Sequence, residues 1–364
     1  MTGPGAPALL AGFAHDAAAT RVRFGPGALA RVGDEVERLG AGRVLLVAGG
    51  PEAVYADRIA ADLGDRVAGR VREVVMHVPV ETAAAAVAAA RNCRADLVLS
   101  VGGGSATGLA KAVARETGLP VLAVPTTYAG SELTPIWGLT GADGKTTGRD
   151  RRVQPRVVVY DPELTVSLPG PISAASGLNA LAHCVEGLYA ADASPVTGLL
   201  AEEGIRALAG GLPRVVADGT DLAARSQALY GAWLAGWTLG MAGMGVHHKL
   251  CHVLGGSWQL PHAEVHAVVL PYAAAFNSGY APAALARVAA ALGGTDPAGD
   301  LWDLGRRLGT PAGLAELGFP PGDIARAAAL VVAGAPANPR PVEPDGVRAL
   351  LRAAYAGKRP DVGG

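Results

Sequence analysis

Four short runs in the first 160 residues are apolar at almost every position: Arg43-Val-Leu-Leu-Val-Ala48, Asp96-Leu-Val-Leu-Ser-Val101, Leu119-Pro-Val-Leu-Ala-Val-Pro125 and Val157-Val-Val-Tyr160. Each is too short for a helix and lacks the alternation of a strand with one wet face, so each reads as a strand buried on both sides. Strands of that kind need helices on both faces of a parallel sheet, and the intervening segments provide them. A short strand at Arg21 leads into a helix through Leu39, and further helices are expected over 53–63, 83–92 and 106–116, with another strand over 71–78. This alternation is the sequence form of a doubly wound α/β sheet. From Ser173 onward the pattern is helical almost to the end, with breaks expected at Gly210-Gly211, Pro271, Gly293-Gly294 and the turn-rich stretch 334–345.

The turn after the second buried run is Gly102-Gly103-Gly104-Ser105, opening directly into a helix that carries Lys111. Glycines at a strand-to-helix turn let backbone N–H groups approach a phosphate closely, and the helix dipole attracts its charge. A diphosphate is the expected guest. The next strand ends in Thr126-Thr-Tyr-Ala-Gly-Ser-Glu-Leu-Thr134, a loop dense in hydroxyls at the sheet edge where open α/β sheets bind ligands. Residues 140–152 form a polar, hairpin-like turn with Lys145, Arg149, Arg151 and Arg152, some of which a dicarboxylate would need. The organisation that follows is a flexible tail over 1–12, an α/β dinucleotide-binding domain over 13–168, a helical substrate domain over 169–358 and a tail over 359–364.

Within the helical half, residues 245–266 hold five of the eight histidines: His247, His248, His252, His262 and His266. His248 and His252 are four apart and share one face of a helix that Gly255-Gly256 would end a turn later. A sixth, His183, follows Asn179 by four in a separate helical pattern. Two helices offering such pairs can build a metal or proton-transfer site, expected in a cleft between the sheet half and the helical half.

Composition narrows the partners. Charged residues are 17% of the 364-residue chain and the net charge is −1, so neither nucleic acid nor an anionic membrane is favoured, and no apolar run is long enough to span a bilayer. The N-terminus lacks the features of a signal peptide. Cys93, Cys184 and Cys251 are odd in number and have no CxxC spacing, so neither a disulfide framework nor a thiolate zinc site is indicated, and a reducing cytoplasm fits. Small molecules and other subunits remain as partners.

The order Gly-Gly-Gly-Ser with Lys111, Pro125-Thr-Thr-x-x-Gly-Ser-Glu132, Asn179-Ala-Leu-Ala-His183, His248-x-x-x-His252-x-Leu-Gly255 and Pro261-His262 resembles the iron-containing alcohol dehydrogenase family, akin to dehydroquinate synthases. Within it, the longer runs 125–140, 145–150, 176–189 and Asn338-Pro-Arg-Pro341 are similar to its maleylacetate reductase branch, over about residues 20–357. The resemblance implies an α/β nucleotide-binding domain joined to an all-α domain, and an NADH- or NADPH-dependent reduction of the conjugated C=C of maleylacetate to 3-oxoadipate in bacterial aromatic catabolism. It implies a cytoplasmic homodimer. Carried over by motif, Gly102, Gly103, Gly104 and Ser105 hold the diphosphate, and Thr126, Thr127 and Ser131 line the nucleotide site, with Tyr128 nearer the nicotinamide. His183, His248 and His252 join Tyr128 as catalytic residues. Asn179, His247, Lys249, His262, His266 and Arg149 are the expected substrate contacts.

The family's metal-ligand motif falls on Asn179, His183, His248 and His262. Metal-using members carry aspartate where this chain has Asn179, so a hard anionic ligand is replaced by a neutral amide. Gly108 likewise replaces an aspartate found in many members. His247 and His266 are additional histidines and suggest a cationic pocket. Fe or Zn binding is then optional, and catalysis without a required metal is expected. The alternatives are a metal-dependent alcohol or polyol dehydrogenase, a dehydroquinate synthase-type lyase and a non-catalytic binding protein.

Overall fold

The computed structural model describes residues 13, 15, 18–142 and 144–360. The expected tail over 1–12, and residues 361–364 of the other, lie outside the described residues. Six strands, β1 (Arg21–Phe24), β2 (Val44–Val47), β3 (Val67–Val71), β4 (Leu97–Gly102), β5 (Val121–Pro125) and β8 (Val157–Tyr160), form one parallel sheet in the order β1-β8-β5-β4-β2-β3. Helices α1 (Val32–Arg38), α2 (Ala53–Leu63), α3 (Val80–Asn92) and α4 (Gly104–Thr117) cover it. The continuous apolar runs are explained by two-sided burial: Leu46, Leu99 and Val124 pack with Val36 and Ile59 on one face, and Leu45, Val98 and Val121 with Ala86, Leu109 and Val113 on the other.

After β2 the chain moves outward to β3, then returns to the opposite side of β2 for β4. The turns after β2 and β4 therefore flank the point where winding reverses, the crevice in which such sheets bind ligands. A separate antiparallel hairpin, β6 (Ile136–Gly141) and β7 (Gly144–Arg149), projects from this domain in register Thr140 opposite Lys145.

Nine helices make up the second half among the described residues: α5 (Gly170–Tyr189), α6 (Pro195–Ala217), α7 (Leu222–Met241), α8 (Val246–Trp258), α9 (His262–Asn277), α10 (Pro282–Leu292), α11 (Pro297–Arg307), α12 (Ile324–Ala333) and α13 (Pro344–Ala356). One core surrounds α5, α6 and α7 and reaches the sheet through Ala123, Val158 and Tyr160. A second gathers α8, α9, α12 and α13.

Several local expectations are corrected. The strand expected over 71–78 is instead β3 at Val67–Val71, and 72–79 is a loop; Gly69 and Arg70 interrupt the apolar run that the real strand occupies. Gly69 is there because a Cβ would stand 3.0 Å from Cys93 Sγ. Gly210-Gly211 does not break α6: a Cβ on Gly211 would lie 2.9 Å from the Ala228 backbone nitrogen, so glycine serves a close crossing with α7. Helix α9 passes through Pro271 at the loss of one intrahelical bond. Helix α8 likewise continues through Gly255-Gly256 and stops at Gln259, which is left-handed at φ 52, with Trp258 anchored by donating to Asp323 at 2.7 Å.

Candidate active site

The sheet side of the crevice is built from three turns. Gly102 has φ +144, a conformation that side chains rarely adopt, and it turns β4 into α4. At Gly103 a Cβ would come within 2.9 Å of Thr127 Cγ2, so only glycine lets this turn lie against the hydroxyl-rich loop after β5. Ser131 faces Gly104 and its buried Oγ has no partner. Thr126 donates to Glu52, from the turn after β2, at 3.2 Å. The first N–H groups of α4 are free of intrahelical partners, so the turn can receive an anion. Lys111 is buried and donates to the carbonyls of Ser131, Thr134 and Ile136 at 2.6–2.8 Å, which fixes the loop rather than offering a free cation.

On the helical side, α5 presents Asn179, His183 and Glu186 at spacings of four and three, while α8 presents His247, His248 and His252 and α9 presents His262 and His266. Ring centroids run 5.0 Å from His183 to His248, 4.8 Å from His248 to His266, 4.5 Å from His266 to His262 and 6.1 Å from His262 to His252, the last pair stacked. His247 lies 4.9 Å from His266. His77, from the loop after β3, adds an edge-on contact to His262 at 6.3 Å. Seven of the eight histidines thus form one connected set, and His15 stands apart beside Ser194.

Glu186 organises the inner end. Its carboxylate accepts from the backbone N–H groups of His247 at 2.9 Å and His248 at 3.3 Å, capping α8 from another helix, and from His248 Nδ1 at 2.6 Å. Burial pushes the Glu186 carboxyl up, and the His247 and His248 donors oppose that by favouring the carboxylate; as its donor, His248 carries the proton on Nδ1 and a lone pair on Nε2. Asn338 supports the same helix end, accepting from Val246 N and Asn277 Nδ2.

With this geometry in place, the wider relationships are informative. The model described as iron-containing alcohol dehydrogenase matches residues 19–162, and that described as Fe-containing alcohol dehydrogenase family, C-terminal, matches 173–355. The chain belongs to the iron-containing alcohol dehydrogenase family. It is 53% identical to a maleylacetate reductase of Sphingobium indicum and 51% to one of Burkholderia cepacia, each over 96% of this chain and 99% of the relative. The crystal structure of maleylacetate reductase from Agrobacterium tumefaciens superposes with a TM-score of 0.94 at 47% identity, covering 96% of this chain and all of that one.

The structure places the motif residues unequally. Tyr128 is fully buried in the helical core, its hydroxyl accepting from Arg225 at 3.2 Å and 3.5 Å from Thr165 Oγ1, so its ring offers no face to the crevice where the nicotinamide was expected. Arg149 donates to the Gly240 carbonyl at 2.7 Å and lines a separate cavity of about 360 Å³ with Asp150, Gln154 and Asp192, none of the histidines among its walls. The stem of Lys249 lies against Gly334 at the end of α12. The charge of Lys145, on β7, is instead felt at His252 and His262.

A cationic pocket is not what these histidines form. Burial, and then the proximity of the neighbouring rings and lysines, lowers all of them: His247 and His252 to about 4, His262 to about 3, and His183, His248 and His266 well below the ordinary value. The rings are neutral at physiological pH because six imidazoles in one cluster cannot share the cost of charge without water. His252 is the solvent-exposed member, at the mouth of the set.

Three atoms in this cluster bear on a metal. Asn179 Oδ1, His183 Nδ1 and His248 Nε2 are buried and unpartnered, and the Glu186 bond to His248 is the support that metal-ligating histidines receive. By type these donors suit a divalent cation such as Zn²⁺ or Fe²⁺, without an anionic ligand among them; His183, His248 and His262 do not together form one of the donor triples that lie within 4.8 Å of one another. His262 stands at the outer end, stacked on His252. The triples of histidine, cysteine and carboxylate donors lying within 4.8 Å of one another among the described residues are His247–Cys251–His266 and Glu186–His247–His248; Cys251 already contacts His247 and Glu186 already bonds His248, while the His266 ring nitrogens have no partner.

The sequence pointed to no role for Glu186 or His77, and named Lys145 only among the cations of 140–152 that a dicarboxylate would need. For Glu186 the signal was available: an acid in an apolar helix three residues after His183. For His77 there was none, since it sat in a run read as a strand.

Proposed function

We propose that this chain reduces the conjugated double bond of maleylacetate to give 3-oxoadipate with NADH or NADPH, the nucleotide held by the 13–168 domain and the substrate against the helices of 169–358. The observation that carries this reading is 53% identity to a maleylacetate reductase over 96% of this chain, which also carries a glycine turn after β4 and a connected set of histidines.

A dihydronicotinamide bound with its diphosphate on Gly102, Gly103, Gly104 and Ser105, and with Thr126, Thr127 and Ser131 alongside, supplies the hydride. The hydride adds to the alkene carbon β to the ketone. The π electrons move onto the ketone oxygen as an enolate, and a proton must then reach the α-carbon. Neutral imidazole N–H groups stabilise the enolate oxygen by hydrogen bonding. His252, open to solvent, delivers the proton and is resupplied by water, while His183 holds the ketone end and His248, its Nδ1–H committed to Glu186, backs the His183 ring at 5.0 Å. The balance is one substrate, one reduced nucleotide and one proton consumed, with one oxidised nucleotide and one saturated oxo-diacid formed. Asn179, His247, His262 and His266 complete the substrate surface in this reading.

A divalent metal held by Asn179, His183 and His248 would supply Lewis acidity toward the ketone. The amide at 179 supports turnover that does not require it. A second reading, a metal-dependent alcohol dehydrogenase, is favoured by the unpartnered donors at these positions. One experiment separates them: purified protein, maleylacetate and each nucleotide, followed by loss of reduced-nicotinamide absorbance with and without chelator. Activity that survives chelation is expected. No oxidation of either nucleotide would sink the proposal, and loss on chelation restored by Fe²⁺ or Zn²⁺ would favour the second reading. A cytoplasmic homodimer accompanies the proposal; the unpaired thiols of Cys93, Cys184 and Cys251 support a reducing compartment, and light scattering tests the dimer.

A further inference from the structure

The histidine set is neutral, yet a dicarboxylate brings two charges to it. Burying a carboxylate among neutral imidazoles is costly unless a fixed cation meets it. The sheet domain supplies one. Lys145 on β7 stands opposite Thr140 on β6, its stem passing over Gly138 with Cε 3.1 Å from where a Cβ would be. Thr140 in turn binds the loop after β3: its N–H donates to the Val78 carbonyl at 3.1 Å and its hydroxyl to the His77 carbonyl at 2.9 Å. The hairpin and the His77 loop are therefore one rigid rim, and His77 reaches across from it to His262.

That rim is held in a costly conformation. His77 and Val78 are consecutive left-handed residues at φ 65 and 51, and Val78 is β-branched. Val78 is buried against Gly108, where a Cβ would lie 2.9 Å from Val78 Cγ2; this close seat gives the glycine at 108 its packing reason. The strained backbone aims the His77 ring at the crevice. Lys145 is exposed on the outer strand of the hairpin, open to an incoming carboxylate, and its charge is felt by His77, His252 and His262 alike.

We propose that Lys145, with the His77 ring beside it, receives one carboxylate of a dicarboxylate substrate whose unsaturated ketone lies over His252 and His262, and so selects diacids over monoacids. This rests on the reductase reading above and names the specificity element of that site. The charge comes from the sheet domain and the proton chemistry from the helical domain, so a substrate bridging the two would be oriented at both ends.

The test uses the full chain and steady-state kinetics on maleylacetate and its two monomethyl esters. Lys145→Met should raise KM for maleylacetate by roughly 10–100-fold, the worth of a charge-assisted bond, and should erase the preference for the diacid over the ester that wild type discriminates against most. KM for the nucleotide serves as the control for folding and should stay within about twofold. Lys145→Arg should restore most of the preference, and His77→Asn, which tolerates the left-handed backbone, should raise KM by about 2–10-fold. Unchanged KM and unchanged diacid preference in Lys145→Met would overturn the assignment. If wild type turns over no maleylacetate, the reductase reading fails by itself. Adipate binding by calorimetry then decides the rim: about tenfold weakening in Lys145→Met upholds it, and equal or absent binding in wild type and variant overturns it.

Discussion

Replacing Glu186 by glutamine isolates the group that joins α5 to the start of α8. The carboxylate accepts three hydrogen bonds: Oε1 from His247 N at 2.9 Å, and Oε2 from His248 N at 3.3 Å and His248 Nδ1 at 2.6 Å. Glutamine has one oxygen. If that oxygen takes the Oε2 position, the amide NH₂ faces the His247 N–H, donor against donor. If it takes the Oε1 position, both His248 donors lose their acceptor and the ring must adopt the other tautomer. At least one buried N–H is left unsatisfied either way, at a cost of about 1–3 kcal/mol. In a chain of this length that lowers the melting temperature by on the order of 1–4 °C. Since the partner that orients a working histidine is typically worth 10–100-fold, kcat on maleylacetate should fall by about that factor. KM for the nucleotide should be unaffected, because the cradle at Gly102–Ser105 lies on the other side of the crevice. Differential scanning calorimetry and initial rates at saturating nucleotide read both quantities. A Glu186→Gln protein with wild-type melting temperature and wild-type kcat would refute the idea that this carboxylate sets His248.

Other expectations follow from the same geometry. Gly103→Ala places a methyl 2.9 Å from Thr127 Cγ2, and relieving that overlap should weaken nucleotide binding by about 1–3 kcal/mol, roughly 5–100-fold in KM, with folding intact by circular dichroism; an unaltered KM would count against the cradle. Asn179→Asp should tighten Zn²⁺ binding by tenfold or so in calorimetry by restoring an anionic ligand, and equal affinity in both proteins would remove Asn179 from the donor set. Glu35, 1% exposed on its side chain, is opposed by burial but held down to about 2 by hydrogen bonds from Arg38, Arg21 and Arg23. Its folded value is depressed, so its contribution is present above the unfolded value of 4.5 and lost as pH falls through about 2. Those arginines are partly exposed, which leaves about 1–2 kcal/mol after screening. The stability gap between wild type and Glu35→Gln in urea should therefore narrow from neutral pH toward pH ~3, and a constant gap would contradict the shift.

Much of this architecture was legible in the chain itself, because the signals involved are local. A run such as Val44–Val47 is apolar throughout only if both its faces are covered, and a glycine turn followed by a helix carries its anion site in its own backbone. The residues 245–266 could likewise be singled out by density alone, and spacing put His248 and His252 on one face. Glycine was the least legible residue. Gly103 and Gly102 shape a turn, whereas Gly211 admits a neighbouring helix and Gly255-Gly256 interrupts nothing; which of these a glycine does depends on the backbone opposite, which the sequence does not display.

What only the tertiary structure decided is the charge of the site. Histidines so close in sequence suggested a cationic pocket, but the state of an imidazole depends on the water and the charges around it summed through space. Folding encloses and crowds the rings, so the histidines stand neutral, Glu186 from another helix sets the tautomer of His248, and the nearby positive charge is that of Lys145, on a hairpin bonded to a loop that read as a strand. The chain by itself specified where the chemistry is. The packing of sheet against helices specified which atoms carry lone pairs, protons and charge, because desolvation and distance are properties of the fold and not of spacing.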